Sequence, residues 1–294
     1  MPGTSKRWLL FGCLLSLVVV GITGCSSLTR LYFQPRTLWL QTPEAYAVKY
    51  EDVWLEASDG VKLHAWWLMP EEIKTDSPVI LYLHGNAQNI STHARSIYWL
   101  VEEGYRVLAL DYRGFGASEG AAVMPDVLLD LEAAARWLVD ESPNDNIAVL
   151  GQSMGSALAI NFVAEHQDDY PIEALVLDST FTGFPSIARN ALGHAWIGWL
   201  FMPFTWLVPS RWDPENKVKD IRVATLVLHS PMDSVLPYEG GRTVYFNLPE
   251  SNCWLDSLGP HIASFRYGSL RAAVADFIDT KACPVRGNEK PSEK

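Results

Sequence analysis

Three side chains far apart in this sequence could together perform acyl transfer: Ser153, Asp233 and His261. The serine stands in Gly151-Gln152-Ser153-Met154-Gly155, where the apolar run Asn146 to Leu150 gives way to helical spacing from Met154 to His166. A G-x-S-x-G turn between strand and helix strains the serine backbone so that its hydroxyl projects at the sheet edge, while the glycines let neighbouring chain pass close. A serine hydroxyl is a poor nucleophile at neutral pH. A histidine must take its proton and return it to the leaving group, and a carboxylate must fix the imidazole tautomer and stabilise the imidazolium. Val223 to His229 reads as a strand followed by a turn holding Asp233, and Cys253 to Leu258 as a strand followed by a turn holding His261. Each of the three residues thus follows a predicted strand, where a parallel sheet gathers its functional loops.

The same chemistry needs donors for a developing oxyanion. His84-Gly85-Asn86-Ala87-Gln88-Asn89 follows the apolar run Val79 to Leu83, so the backbone N–H groups of Asn86 and Met154 are assigned to that hole. Asp178, closing the run Ala174 to Leu177, is the rival for the acid; its other reading is a loop-capping carboxylate. Asp111 is expected to brace the turn Arg113 to Gly116, and His84 to hold the oxyanion loop through a backbone hydrogen bond. His64, His93, His166, His194 and His229 have no partner in the sequence and read as packing or surface histidines. No His/Cys cluster has metal-ligand spacing and no G-x-G-x-x-G opens a helix after the first strand, so the sequence implies neither metal nor other cofactor.

His84 to Asn89, Asp111-Tyr112-Arg113-Gly114-Phe115-Gly116-Ala117-Ser118-Glu119-Gly120 and the Gln152-Ser153-Met154 elbow together resemble the α/β-hydrolase superfamily, and within it the Bem46/ABHD13/ABHD17-like serine hydrolases. The order Ser153, Asp233, His261 is that of the family's triad. The resemblance covers about residues 48 to 280. It departs at Ser230-Pro231-Met232, where such proteins often have a glycine-containing turn before the acid, and at Pro260 and Ile262 beside the histidine. The implied fold is a mostly parallel central sheet with helices on both faces. In it Cys253, opening the last strand, and Cys283, ending the last helix, come together; a disulfide and two free thiols are both open.

The N-terminus carries an address. Lys6-Arg7 precedes an apolar run, Trp8 to Ile22, which ends in Thr23-Gly24-Cys25. The run is shorter than the about 20 residues of a membrane span and reads as a signal peptide over residues 1–24. Its end resembles a bacterial lipobox, in which Cys25 becomes the lipid-modified mature N-terminus; an uncleaved anchor helix is the alternative. Residues 25–47 are then a lipidated tether. The absence of aspartate after Cys25 resembles lipoproteins sorted to an outer membrane, so the expected location is the cell envelope, at the outer membrane if the cell has one.

Thirty-four acidic against 23 basic residues give a net charge of −11, which argues against nucleic acid as a partner. With 48% hydrophobic residues the chain can bury one substantial core. Val48 to Leu55 and Val61 to Met69 predict a hairpin across Ser58-Asp59-Gly60. Strand 79–83, helix 92–103, strand 105–110, helix 125–139 and strand 146–150 then alternate as in a parallel sheet. The hydrolase domain is set at 48–283 and a polar tail at 284–294. Between Phe181 and Trp212 lie eight aromatics, and Asn190 to Ser210 carries no charged residue. This stretch joins two strands of one sheet, so it predicts a helical cap over the active site, about 181–215, and not a membrane span; ordinary core packing is the other reading.

The expected activity is that of a membrane-anchored serine hydrolase cleaving a small or lipid-like acyl ester through an acyl-enzyme. A peptidase or thioesterase on the same triad, and a non-catalytic envelope binding protein, are the alternatives.

Overall fold

The computed structural model describes residues 29–193, 209–249 and 252–284. Its eight strands are β1 (Lys49–Glu56), β2 (Lys62–Met69), β3 (Val79–Leu83), β4 (Val107–Asp111), β5 (Ile147–Gln152), β6 (Ile172–Asp178), β7 (Ala224–His229) and β8 (Cys253–Asp256). They form one sheet in the order β1-β2-β4-β3-β5-β6-β7-β8. The hairpin β1–β2 pairs antiparallel with itself and with β4; every pairing from β4 to β8 is parallel. Strands β3, β4 and β5 are buried along their whole length, as helices on both faces require.

Side-chain alternation sorts the core into two layers. Leu81, Leu83, Val149 and Leu177 face one side, with helices α3 (Val127–Glu141), α4 (Met154–His166) and α7 (Tyr238–Asn247). Ile80, Tyr82, Leu150 and Val176 face the other, with the 90–102 segment and α8 (Gly268–Thr280). A single helix was expected over 92–103. The structure instead has α1 (Ile90–His93), a tighter turn (Ala94–Ile97) and α2 (Tyr98–Glu102). All five residues from Ile97 to Val101 are buried, which one face of a straight α-helix cannot provide, and the tight turn resets the phase. The last helix ends at Thr280, not at Cys283; Lys281 turns left-handed at φ 57°. Cys283, just beyond, still reaches Cys253, and the two form a disulfide with Cα atoms 5.2 Å apart.

Of the predicted cap, the structure describes the two ends. α5 (Phe184–Gly193) leaves the sheet and α6 (Pro214–Lys217) returns to it. Asp213 Oδ1 accepts the N–H of Phe184 at 2.9 Å, pinning departure to return. Residues 194–208 lie outside the described part, as do Cys25 and the expected signal peptide. Among the described residues no helix is long and apolar enough to cross a membrane.

Candidate active site

β4 lies on one side of β3 and β5 on the other, so the chain reverses direction across the sheet at β3. A crevice opens at such a switch point, between the loops that leave β3 and β5. Those loops carry the His84–Asn89 segment and Ser153. The close fit there accounts for the glycines. A Cβ on Gly155 would lie 2.0 Å from the Leu83 carbonyl oxygen, and one on Gly151 2.5 Å from that of Gly155.

Ser153 takes φ 54° and ψ −116°, a conformation that costs a non-glycine residue on the order of 1–3 kcal/mol. The neighbouring strand end holds it there. The Ser153 N–H donates to the Asp178 carbonyl at 2.9 Å, and Ser156 Oγ donates to the Gly151 carbonyl at 2.9 Å. With its hydroxyl thus presented, Ser153 Oγ lies 2.9 Å from His261 Nε2, and His261 Nδ1 lies 2.7 Å from Asp233 Oδ2. The order of donors follows from the carboxylate. Burial alone would raise the pKa of Asp233, but hydrogen bonds from His229 and His261 hold it well below the ordinary carboxylate range. Ionised, Asp233 only accepts, so Nδ1 carries the proton and Nε2 is left bare to accept from Ser153. That is the tautomer a general base needs.

Asp233 is fixed by its own loop. Its Oδ1 accepts the N–H groups of Val235 and Leu236 at 2.8 and 2.9 Å. In the Ser230-Pro231-Met232 turn, where a glycine was the family's habit, Ser230 Oγ donates to the Gly259 carbonyl at 2.5 Å and accepts the Met232 N–H at 3.1 Å. One hydroxyl therefore ties the acid loop to the histidine loop.

The rival acid is elsewhere engaged. Asp178 Oδ2 accepts from Gln152 Nε2 at 2.8 Å and Oδ1 from Ser264 Oγ at 2.6 Å. Gln152 Oε1 in turn accepts from Tyr82 OH at 2.7 Å and Ser96 Oγ at 2.8 Å. Burial raises the Asp178 pKa, opposed by the bonds from Ser264 and Gln152. This buried network joins the nucleophile elbow to the segment after His261.

On the β3 side, His84 Nδ1 lies 2.7 Å from the Gly85 carbonyl, and the ring stacks on Tyr112 at 4.4 Å, in keeping with a loop-holding role. Asp111 lies against the Arg113 to Gly116 turn, where a Cβ on Gly116 would come 1.8 Å from its Oδ2. Its Oδ1 accepts the Ile90 N–H at 2.8 Å, fixing the start of α1. The Arg113 side chain is held by Asp130 and Asp59, at 2.7 Å each. Asn86 spends its side chain on the N-terminal approach: Nδ2 donates to the Tyr32 carbonyl at 2.6 Å and Oδ1 accepts the Gln34 N–H at 2.9 Å. Asn89 donates likewise to the carbonyls of Arg36 and Leu38. From Tyr32 to Leu38 the segment before β1 is thus stitched to the loop beside the nucleophile. Asn86 itself lies one residue beyond Gly85, whose added Cβ would come 3.4 Å from Ser153 Cβ. Met154 opens α4, where an N–H has no partner within the helix.

Two histidines read as packing residues prove to have specific polar roles. His229, fully buried at the end of β7, puts Nε2 3.4 Å from Asp233 Oδ2 and 3.3 Å from the Leu236 carbonyl. Both neighbours are acceptors, so Nε2 carries the proton. His93 Nε2 lies 3.0 Å from the Ala87 carbonyl, behind the oxyanion loop. Burial, then the charge of His84, lowers its pKa to about 4. The i, i+4 spacing of His229 and Asp233 around a turn was the one signal available. His64 and His166 also have polar partners the sequence reading missed, Asp52 at 2.7 Å and Asp169 at 2.9 Å; His194 lies outside the described residues.

The family described as "Serine aminopeptidase, S33" matches residues 75–217. The uncharacterized protein YfhR of Salmonella typhi is 27% identical over 290 residues, covering 92% of this chain and 94% of that protein. Lysophosphatidylserine lipase ABHD12 of Danio rerio is 26% identical, covering 72% and 62%, and Schizosaccharomyces pombe bem46 is 29% identical, covering 67% and 64%. The Pyrococcus furiosus esterase Pf2001 superposes with a TM-score of 0.69 at 24% identity, over 84% of this chain and 95% of that one, which shows the shared fold. Together with the sheet order and the elbow between β5 and α4, these relationships make the chain a hydrolase of the α/β-hydrolase superfamily, similar to its Bem46-like group.

Proposed function

We propose that the protein is a membrane-anchored serine hydrolase that cleaves a carboxylic ester through an acyl-enzyme, with Ser153, His261 and Asp233 as its triad. The observation that carries this reading is the unbroken row from Ser153 Oγ to His261 Nε2 at 2.9 Å and from His261 Nδ1 to Asp233 Oδ2 at 2.7 Å. Ser153 Oγ attacks the ester carbonyl while His261 Nε2 takes its proton. The oxyanion accepts from the N–H groups of Asn86 and Met154. His261 then protonates the departing alcohol, leaving the acyl group on Ser153, and water reverses the steps through the same histidine.

Cys25 carries the lipid that holds the protein to the cell envelope, and the uncharged, aromatic-rich composition of 190–210 suits an acyl substrate. Its family match to a serine aminopeptidase favours a second reading, in which the same row cleaves an aminoacyl amide. The deciding experiment is a panel of esters, thioesters and aminoacyl amides with the full-length protein in detergent, run beside fluorophosphonate labelling. Ser153→Ala should abolish labelling and lower kcat by about a millionfold. Labelling that persists in that variant would move the nucleophile elsewhere. Each methylene buried is worth about 0.8 kcal/mol, so acyl-ester kcat/KM should rise up to roughly fourfold per carbon until the site is full. Equal cleavage of acetyl and octanoyl esters removes the acyl-chain reading, and faster amide than ester turnover replaces it by the peptidase. Mass spectrometry of the mature N-terminus tests Cys25: an unmodified end at any other residue refutes the anchor.

A further inference from the structure

A pocket of about 640 Å³ opens beside His261, between the α1–α2 segment and the turn that leads into α8. Three arginines line it, Arg95, Arg266 and Arg271, together with His93, Gln41 and His261 itself. No aspartate or glutamate does. In a chain of net charge −11 this is unusual, because elsewhere cations find acids readily: Lys74 meets Asp279, Arg106 meets Asp145, and Arg113 is shared by Asp59 and Asp130. Among the described residues none of the three pocket arginines has a carboxylate at ion-pair distance.

Two of the three are oriented by neighbours that leave their charge free. Arg271 Nε donates to the Phe265 carbonyl at 2.5 Å, and the Arg95 guanidinium lies over the Tyr46 ring at 4.9 Å. A contact with an aromatic ring takes up no carboxylate, and a guanidinium offers a fork of N–H groups matched to phosphate oxygens. His93 stays neutral at ordinary pH and adds no charge. Like charges converging on a hollow repel one another, and an anion between them turns that repulsion into binding. The pocket's volume falls in the range of small-ligand sites, about 300–1,000 Å³.

Position decides which part of a substrate the anion belongs to. The pocket is walled by His261, the group that must protonate the departing alcohol. We propose that Arg95, Arg266 and Arg271 form a subsite for a phosphate group carried on the leaving alcohol of the ester. This deepens the proposed function and rests on His261 being its general acid. A phosphate held there brings the ester oxygen towards Nε2, so binding energy far from the scissile bond is used to position it.

The test separates the subsite from the hydrolase reading. Glycerol 3-phosphate binding to the full-length protein is measured by calorimetry, a readout that needs no turnover, while fluorophosphonate labelling reports the nucleophile independently. Wild type should bind glycerol 3-phosphate, weakening as salt rises, and Arg95→Gln/Arg266→Gln should weaken it at least tenfold at equal fluorophosphonate labelling. Arg271→Gln alone is the second variant should the double change fail to fold. In turnover, a short-chain acylglycerol phosphate should be cleaved at least tenfold faster, in kcat/KM, than the matching neutral acylglycerol, with the ratio approaching one in the variants. A micellar lysophospholipid tells the source apart: preference for it over the soluble phosphate ester assigns the site to lipid headgroups, and the reverse assigns it to soluble phosphate esters. Absence of glycerol 3-phosphate binding by wild type overturns the subsite even if esters are cleaved. So does a phosphate preference that survives in the arginine variants.

Discussion

β6 ends in Asp178 and the loop that follows β7 carries Asp233, and the two aspartates do different work. Asp178 is the last residue of its strand and Asp233 stands in a loop, both at the C-terminal edge, and both are penalised by burial. At Asp178 the opposing bonds come from neutral groups, Gln152 and Ser264, and its pKa remains raised. At Asp233 two histidines and two backbone N–H groups converge, and the pKa falls well below the ordinary range. Asp178 is the more deeply buried of the two and feels the histidines only at a distance, whereas Asp233 is half-buried and bonded directly by two imidazoles. The first region is built to hold a shape, joining the elbow to the His261 segment. The second is built to keep a charge beside a base.

The sharpest way to break this comparison is to remove each charge in turn. Asp233→Asn should lower kcat by about 10⁴-fold, because an amide lets His261 adopt the wrong tautomer, and steady-state ester hydrolysis measures it. If Asp178→Asn proves the more damaging to kcat, the roles assigned to the two strand ends are reversed.

His93 extends the same reasoning to a base buried without a compensating charge. The unfolded chain binds a proton at this histidine near pH 6.5, the folded protein only near 4, so protonation favours unfolding and stability falls as pH drops through that window. The contribution reaches about 3 kcal/mol at the acid end. Urea unfolding of wild type and His93→Gln at pH 7 and pH 4 should show a smaller acid loss in the variant by that order; equal losses would put the proton elsewhere.

Asp178→Asn should act mainly on stability. Its amide cannot accept from both Gln152 and Ser264, and a buried donor left unpaired costs about 1–3 kcal/mol, read as a lower urea midpoint with kcat changed less than about tenfold. Smallest is His229→Gln, which removes one of the two imidazoles at Asp233 while Val235, Leu236 and His261 remain. We expect kcat to fall about tenfold with KM unchanged, the equivalent of roughly 1.4 kcal/mol in the barrier. An unchanged kcat would reduce His229 to packing.

Much of this arrangement was legible along the chain. The elbow announces itself because strand, glycine, serine and helix follow one another within a few residues, and local geometry alone forces the turn. Strands β3 to β7 were readable because a parallel sheet covered on both faces demands short apolar runs. The broken helix at 90–102 was not legible, since its phase shift serves the sheet it packs on. Nor was the end of the last helix, which stops short of Cys283. The roles of His229 and His93 escaped because each depends on a backbone carbonyl or carboxylate brought in by folding.

By itself, then, the sequence determined the kind of sheet, the strained serine and the order in which an acid and a histidine follow it, all consequences of short-range pattern. It put Asp233 first as the acid, in the turn after its strand, and kept Asp178, at the end of another, as the rival. What only the tertiary structure adds is their surroundings: β8 pairs with β7 and the Ser230 to Gly259 bond ties the His261 loop beside Asp233, while Ser264 just beyond it closes on Asp178. The arginine pocket is decided the same way. Arg95 and Arg266 lie on opposite sides of most of the chain, and no local pattern brings them to one hollow; that needs the sheet's two-sided packing, which folds the α1–α2 segment and α8 onto the same face.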